Sequence, residues 1–148
     1  MPYKLACYCN LQVKMAGSEC DVLKEIVDPA LDCKLCYRPA MSEDSELQLG
    51  PLYEYGVCRA HHNCLMFSSG LEQTGEEEEG IKGFMPDNII KEWKRGGHLK
   101  CCYCKKKYAT VGCIESSCRK CYHLPCGIEN GSLQQFFGSF ASYCEIHK

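Results

Sequence analysis

Residues 101–126 read CCYCKKKYATVGCIESSCRKCYHLPC, and residues 144–147 read CEIH. Four pairs at metal-ligand spacing lie in these stretches: Cys101-x2-Cys104, Cys113-x4-Cys118, His123-x2-Cys126 and Cys144-x2-His147. An x2 spacing lets the backbone turn tightly enough for both side chains to meet one ion. Upstream, Cys33-x2-Cys36 is followed after 24 intervening residues by His61-x2-Cys64. These six pairs hold nine Cys and three His, enough for three sites of four donors each. Thiolate sulfur and imidazole nitrogen are the donors zinc prefers, and four of them close a tetrahedron. Three Zn2+ ions are therefore the expected cofactors.

The rest of the composition agrees. The chain has 148 residues and 15 Cys, a Cys content several times ordinary usage. Disulfides are rare in reducing compartments, an odd number of Cys cannot all pair, and a disulfide has no use for His at ligand spacing. No apolar run reaches the roughly 18 residues a membrane span needs. The first twenty residues lack the continuous apolar stretch of a secretory signal, so neither a membrane nor an exported protein is expected.

Secondary structure should be sparse. Asp87 to Arg95 reads as a short helix, with Asp87 able to cap it, Ile89, Ile90 and Trp93 on one side, and Lys94 and Arg95 in the last turn. A second short helix is expected from His61 to about Phe67, and a third around His123 and Pro125. A short hairpin suits the Phe- and Ser-rich stretch between Leu133 and Tyr143. The expected fold is a small zinc-stabilised α+β domain of short helices and short hairpins. A boundary is expected at Asp28-Pro29, because a residue before Pro avoids helix. Residues 1–28 form an N-terminal extension with Cys7, Cys9 and Cys20 but no complete site. Residues 29–70 form a zinc knuckle, residues 71–99 a linker with the helix, and residues 100–148 a finger.

Two ions can be served by the last four pairs in two ways. Sequential use puts Cys101, Cys104, Cys113 and Cys118 on one ion. Interleaved use puts Cys101, Cys104, His123 and Cys126 on the first, and Cys113, Cys118, Cys144 and His147 on the second. Spacing does not separate these.

The phrases HHNCLMFSSGL, EGIKGF, HLKCCYCKK, ATVGC, CYHLPCG and FASYCEIH, within residues 33–147, resemble an extended PHD module. They resemble in particular the N-terminal module of a group of nuclear PHD-finger ubiquitin ligases. The resemblance implies a knuckle followed by a cross-braced PHD-like finger, and hence the interleaved set. The ligands it implies are Cys33, Cys36, His61 and Cys64; Cys101, Cys104, His123 and Cys126; and Cys113, Cys118, Cys144 and His147. It leaves Cys7, Cys9, Cys20, Cys58, Cys102 and Cys121 outside the sites. A fourth site built from Cys7, Cys9, Cys20 and Cys58 is the competing use of four of them. His98 has no partner at ligand spacing and is expected to be a surface or packing residue.

A catalytic zinc keeps a position open for water beside a general base. Each site here has four protein donors, and no His-Glu-x-x-His or paired carboxylates accompany them. The expectation is a non-enzymatic module, nuclear and monomeric. In the resembling ligases RING-like fingers follow this module, and the sequence to Lys148 holds none.

Charge is sorted along the chain although the formal net is −2. Residues 43–79 carry nine acidic side chains against Arg59 alone, with Glu76 to Glu79 in a Gly-bounded loop. Residues 82–120 carry ten basic and three acidic side chains. Three thiolates, a neutral imidazole and Zn2+ net −1, so three such sites take the formal −2 to −5. Any pull on phosphates then rests on the local basic stretch: Lys94, Arg95, Lys100, Lys105, Lys106, Lys107, Arg119 and Lys120. Tyr103, Tyr108 and Tyr122 interleave with these cations and are candidates for stacking. The expected partners are a histone tail or duplex DNA, or other domains of a larger protein. Two other functions compete: a RING-like finger recruiting a ubiquitin-conjugating enzyme, and a structural module presenting Phe136, Phe137 and Phe140 to a neighbour.

Overall fold

The computed structural model describes residues 22–40 and 48–148. Its elements are short because the metal-site loops leave little room between them. Strand β1 (Lys24–Glu25) pairs antiparallel with β2 (Leu52–Tyr55), and β2 pairs antiparallel with β3 (Cys58–His61). The β2–β3 register sets Leu52 opposite His61 and Tyr55 opposite Cys58. Gly56, at φ 58°, makes the turn between them. Since β1 lies before Asp28, the knuckle sheet draws on both sides of the Asp28-Pro29 step.

Helix α1 (His62–Met66) follows β3 directly, and α2 (Pro86–Gly96) crosses the linker. Pro86 occupies the start of α2, where its missing N–H is no loss, and Asp87 lies in the first turn while Met85 takes the capping position. Asp87 therefore favours the helix through the dipole rather than as its cap. Lys94 and Arg95 lie in the last turn of α2, as expected from the sequence. Strands β4 (Val111–Gly112) and β5 (Cys121–Tyr122) pair, α3 (Leu124–Glu129) follows, and β6 (Leu133–Gln134) pairs with β7 (Ser142–Tyr143). This last pair is the hairpin expected between Leu133 and Tyr143.

One small core unites knuckle, linker and finger, with Leu52, Leu65, Ile81, Val111, Tyr122 and Leu124 all essentially buried. Ser69 N–H donates to the Thr110 carbonyl at 2.9 Å, and the Ser68 and Thr110 hydroxyls share a 2.7 Å hydrogen bond, joining the end of the knuckle to the finger. Glu92 is buried on α2, where its carboxylate accepts from Gly70 N–H at 3.1 Å and from Arg95 at 2.6 and 2.8 Å. Among the described residues no helix is long and apolar enough to cross a membrane.

Candidate metal centres

Each knuckle turn is built the same way. Cys33 N–H donates to the Arg38 carbonyl at 2.9 Å, and Tyr37 N–H donates back to the Cys33 carbonyl at 2.9 Å. Cys101 N–H donates to the Lys106 carbonyl at 2.9 Å, and Lys105 N–H donates back to the Cys101 carbonyl at 3.0 Å. Both turns need a left-handed residue just after the second Cys, supplied by Tyr37 at φ 64° and Lys105 at φ 65°. A strand then delivers a His, which caps a short helix carrying the fourth donor: β3, His61 and Cys64 on α1; β5, His123 and Cys126 on α3.

The second ring nitrogen of each of these His is spoken for. His61 Nε2 lies 3.3 Å from the Pro39 carbonyl and His123 Nε2 2.7 Å from that of Lys107, so Nε2 carries the proton. That leaves Nδ1 as a lone-pair donor facing the thiols, the arrangement a metal-bound His needs. His61 Nδ1 stands 3.3 Å from Cys36 Sγ and 3.9 Å from Cys64 Sγ. His123 Nδ1 stands 3.3 Å from Cys104 Sγ and 3.6 Å from Cys126 Sγ.

The third cluster is assembled differently, from the β4 end, the loop before β5 and the turn after β7. His147 Nδ1 lies 3.3 Å from Cys144 Sγ and 3.5 Å from Cys113 Sγ, and Cys118 Sγ lies 3.9 Å from Cys144 Sγ. Two neighbours brace it against the second cluster. Tyr103, between Cys101 and Cys104, donates its hydroxyl to Glu145, between Cys144 and His147, and Lys120 donates to the same carboxylate. Lys120 and then Tyr103 hold the Glu145 carboxyl down at about 2.

The donor atoms of Cys33, Cys36, His61 and Cys64, of Cys101, Cys104, His123 and Cys126, and of Cys113, Cys118, Cys144 and His147 lie within 4.8 Å of one another in each set. The interleaved sets therefore converge, and the sequential pairing of Cys101 and Cys104 with Cys113 and Cys118 does not. Zinc bonds of about 2.3 Å to sulfur and 2.0–2.1 Å to nitrogen put tetrahedral donors roughly 3.5–3.8 Å apart. The separations above straddle that value. The electrostatics also call for a cation. Burial and the neighbouring Cys101 charge push Cys126 up to about 12, and burial with the Cys33 charge raises Cys36. Thiols this close do not all ionise unless a cation joins them. Burial also lowers His123, keeping its imidazole neutral and able to ligate. The three clusters fit three zinc sites.

Among the described residues, Cys58, Cys102 and Cys121 belong to none of these sets. Cys58 is buried with Sγ directed at the Pro86 carbonyl at 3.9 Å, and Cys121 Sγ donates to the Lys100 carbonyl at 3.2 Å. Cys7, Cys9 and Cys20, and with them a fourth site, lie outside the described residues. His98 is exposed, the first of the two places expected for it.

The tyrosines among the basic residues serve packing. Tyr122 is buried with its hydroxyl 2.7 Å from that of Ser142, and Tyr108 stacks on Trp93. Arg95 and Lys120 are held by Glu92 and Glu145, whereas Lys100, Lys105, Lys106, Lys107 and Arg119 are exposed. Phe136 and Phe137 are 54% and 72% exposed, and both Phe136 and Phe140 edge against Phe67, at 5.0 and 6.0 Å. Sequence reasoning misses the β2–β3 hairpin and the shared design of the first two sites. The signal for the latter is present, since Cys-x2-Cys followed by His-x2-Cys occurs twice, but the intervening lengths differ.

Comparison with known proteins agrees with this geometry. The family of PHD-like zinc-binding domains matches residues 61–148. The human G2/M phase-specific E3 ubiquitin-protein ligase is 48% identical over 88 residues, 60% of this chain and 12% of that protein. The Drosophila melanogaster Pineapple eye protein is 34% identical over 114 residues, covering 77% of this chain and 19% of its own length. PHD finger protein 11 of Rattus norvegicus is 37% identical over 120 residues, 78% of this chain and 34% of that protein. The chain thus spans between about a tenth and a third of the length of these relatives. A match over more than half of its residues, with three Cys/His clusters in place, assigns the chain to the PHD-like zinc-binding domain family.

Proposed function

We propose that this chain is a chromatin-binding module with no catalytic group of its own, working in the nucleus as the targeting part of a longer ubiquitin-ligase-like protein. Its zinc ions are held by the twelve residues of the three clusters. Residues 29–70 are the knuckle, 71–99 the linker and 100–148 the finger, with 1–28 as an extension whose Lys24–Glu25 forms β1. Four protein donors per ion leave no position for water, which supports a structural role for the metals.

The observation that carries the binding assignment is the basic surface of the finger. Lys100, Lys105, Lys106, Lys107 and Arg119 are exposed, and among the described residues none of them is in an ion pair. Cations of this kind suit the phosphates of duplex DNA. A histone tail is the second reading, favoured by the exposed acidic loop of Glu76 to Glu79 together with Glu72.

Titration of the zinc-loaded chain with a DNA duplex at two salt concentrations, with an unmodified histone-tail peptide in parallel, tests both. DNA binding that weakens steeply with salt and is lost when Lys105, Lys106 and Lys107 become Ala is the expected result. Peptide binding without DNA binding moves the function to the acidic loop. Silence in both arms contradicts the chromatin assignment and directs attention to Phe136 and Phe137.

A further inference from the structure

A cleft between the knuckle sheet and α2 is used by none of the three metal clusters. Its volume is about 110 Å3. Sites for drug-sized molecules run to roughly 300–1,000 Å3, so this cleft is on the scale of one side chain. Leu35, Ile89, Ile90 and Trp93 give it an apolar lining. Every charged residue that lines it is a cation: Lys34, Arg59 and Lys94. Arg59 is committed, donating to Glu54 at 2.9 Å and to the Asp32 carbonyl at 2.9 Å. Lys34 and Lys94 have no ion-pair partner among the described residues.

We propose that this cleft seats one apolar side chain from an acidic peptide segment of a protein partner. An apolar slot accepts the side chain, and the two uncommitted lysines attract carboxylates flanking it. Complementary charge selects such a partner, and like charge rejects a basic one. The cleft is therefore not a histone-tail site, and of the cations in the basic stretch named above only Lys94, and no finger residue, lines it. Duplex DNA offers phosphates to the lysines but no exposed apolar side chain for the slot.

Trp93 is the single Trp of the chain and lines the cleft, so its emission reports occupancy. The zinc-loaded full chain is titrated with acetyl-Glu-Asp-Leu-Asp-Glu-amide, with the same peptide carrying Ser for Leu, and with acetyl-Lys-Lys-Leu-Lys-Lys-amide. A saturable emission shift is expected with the acidic Leu peptide, and binding at least about tenfold weaker with the other two. Lys94→Glu, on the exposed side of α2, should weaken the acidic peptide by about tenfold while the zinc content stays unchanged. Lys34→Glu provides a second charge reversal on the opposite wall. An equal response to the basic peptide, indifference to both reversals, or no response up to roughly 1 mM overturns the proposal. Displacement of the acidic peptide by a DNA duplex also overturns it, because the cleft would then be a phosphate site.

Discussion

Tyr37 and Lys105 occupy equivalent places in two separate knuckles, each just after the second Cys of a Cys-x2-Cys turn and each left-handed, at φ 64° and 65°. The equivalence extends outward. Pro39 and Lys107, each three residues past that Cys, offer their carbonyls to His61 and His123. Asp32 bridges Pro39 as Lys100 bridges Lys107. One local solution, a turn that aims two thiols and a strand–helix junction that adds a His and a Cys, is thus used twice. The third cluster closes the finger by other means.

The left-handed turn gives a prediction at Lys105. A non-Gly residue there costs roughly 1–2 kcal/mol, and a β-branched one more. Lys105→Gly should retain full zinc content and a melting temperature no lower than that of the parent. Lys105→Ile should be less stable than the parent, because a β-branched side chain adds to the left-handed cost that Lys already bears, read by denaturation in excess zinc. Equal stability of the two variants would show that the turn does not constrain this position.

Trp93 stacks on Tyr108 with ring centroids 4.8 Å apart and planes 7° from parallel, and Tyr108 in turn meets Tyr37 edge-on at 6.0 Å. Linker, finger and knuckle therefore meet at one aromatic row beside His123, whose ring lies 5.6 Å from that of Tyr37. Structural zinc sites contribute roughly 10–16 kcal/mol of apparent binding energy each near neutral pH. Titration with a chelator should red-shift Trp93 emission and reduce circular dichroism together, and zinc should restore both. Unchanged spectra after complete metal removal would contradict metal-dependent folding.

Glu92 provides a test away from the metals. Its side chain is 2% exposed and anchors Gly70 N–H as well as Arg95. Glu92→Ala should destabilise the zinc-loaded protein by about 2–3 kcal/mol, the value of lost hydrogen bonds to a charged group. Glu92→Gln, which can still accept from Gly70, should cost less. A loss below about 0.5 kcal/mol for Glu92→Ala would mean that the Glu92 contacts are not formed in solution.

Much of this was legible in the residues because ligand spacing is a local, chemically specific signal. The x2 pairs, the α2 stretch from Asp87 to Arg95 and the Gly-bounded run of Glu76 to Glu79 each depend on neighbours in sequence. The order in which pairs share ions depends on contacts between segments far apart in the chain, so spacing left it open and the resemblance alone favoured interleaving. The β2–β3 hairpin carries no clear sequence signal because its strands hold Cys58 and His61 where an alternating apolar pattern would otherwise announce them. The cleft was likewise invisible, since Lys34 and Lys94 become neighbours of one slot only when the knuckle packs on α2.

If three zinc ions are held by interleaved donors, each sits inside one of the three converging clusters. A crystal of the zinc-loaded chain measured on both sides of the zinc absorption edge tests it most directly. Three anomalous peaks are expected, one inside each converging set, with Cys101, Cys104, His123 and Cys126 around one and Cys113, Cys118, Cys144 and His147 around another. Fewer than three peaks, or a peak bound by Cys101, Cys104, Cys113 and Cys118 together, would contradict it.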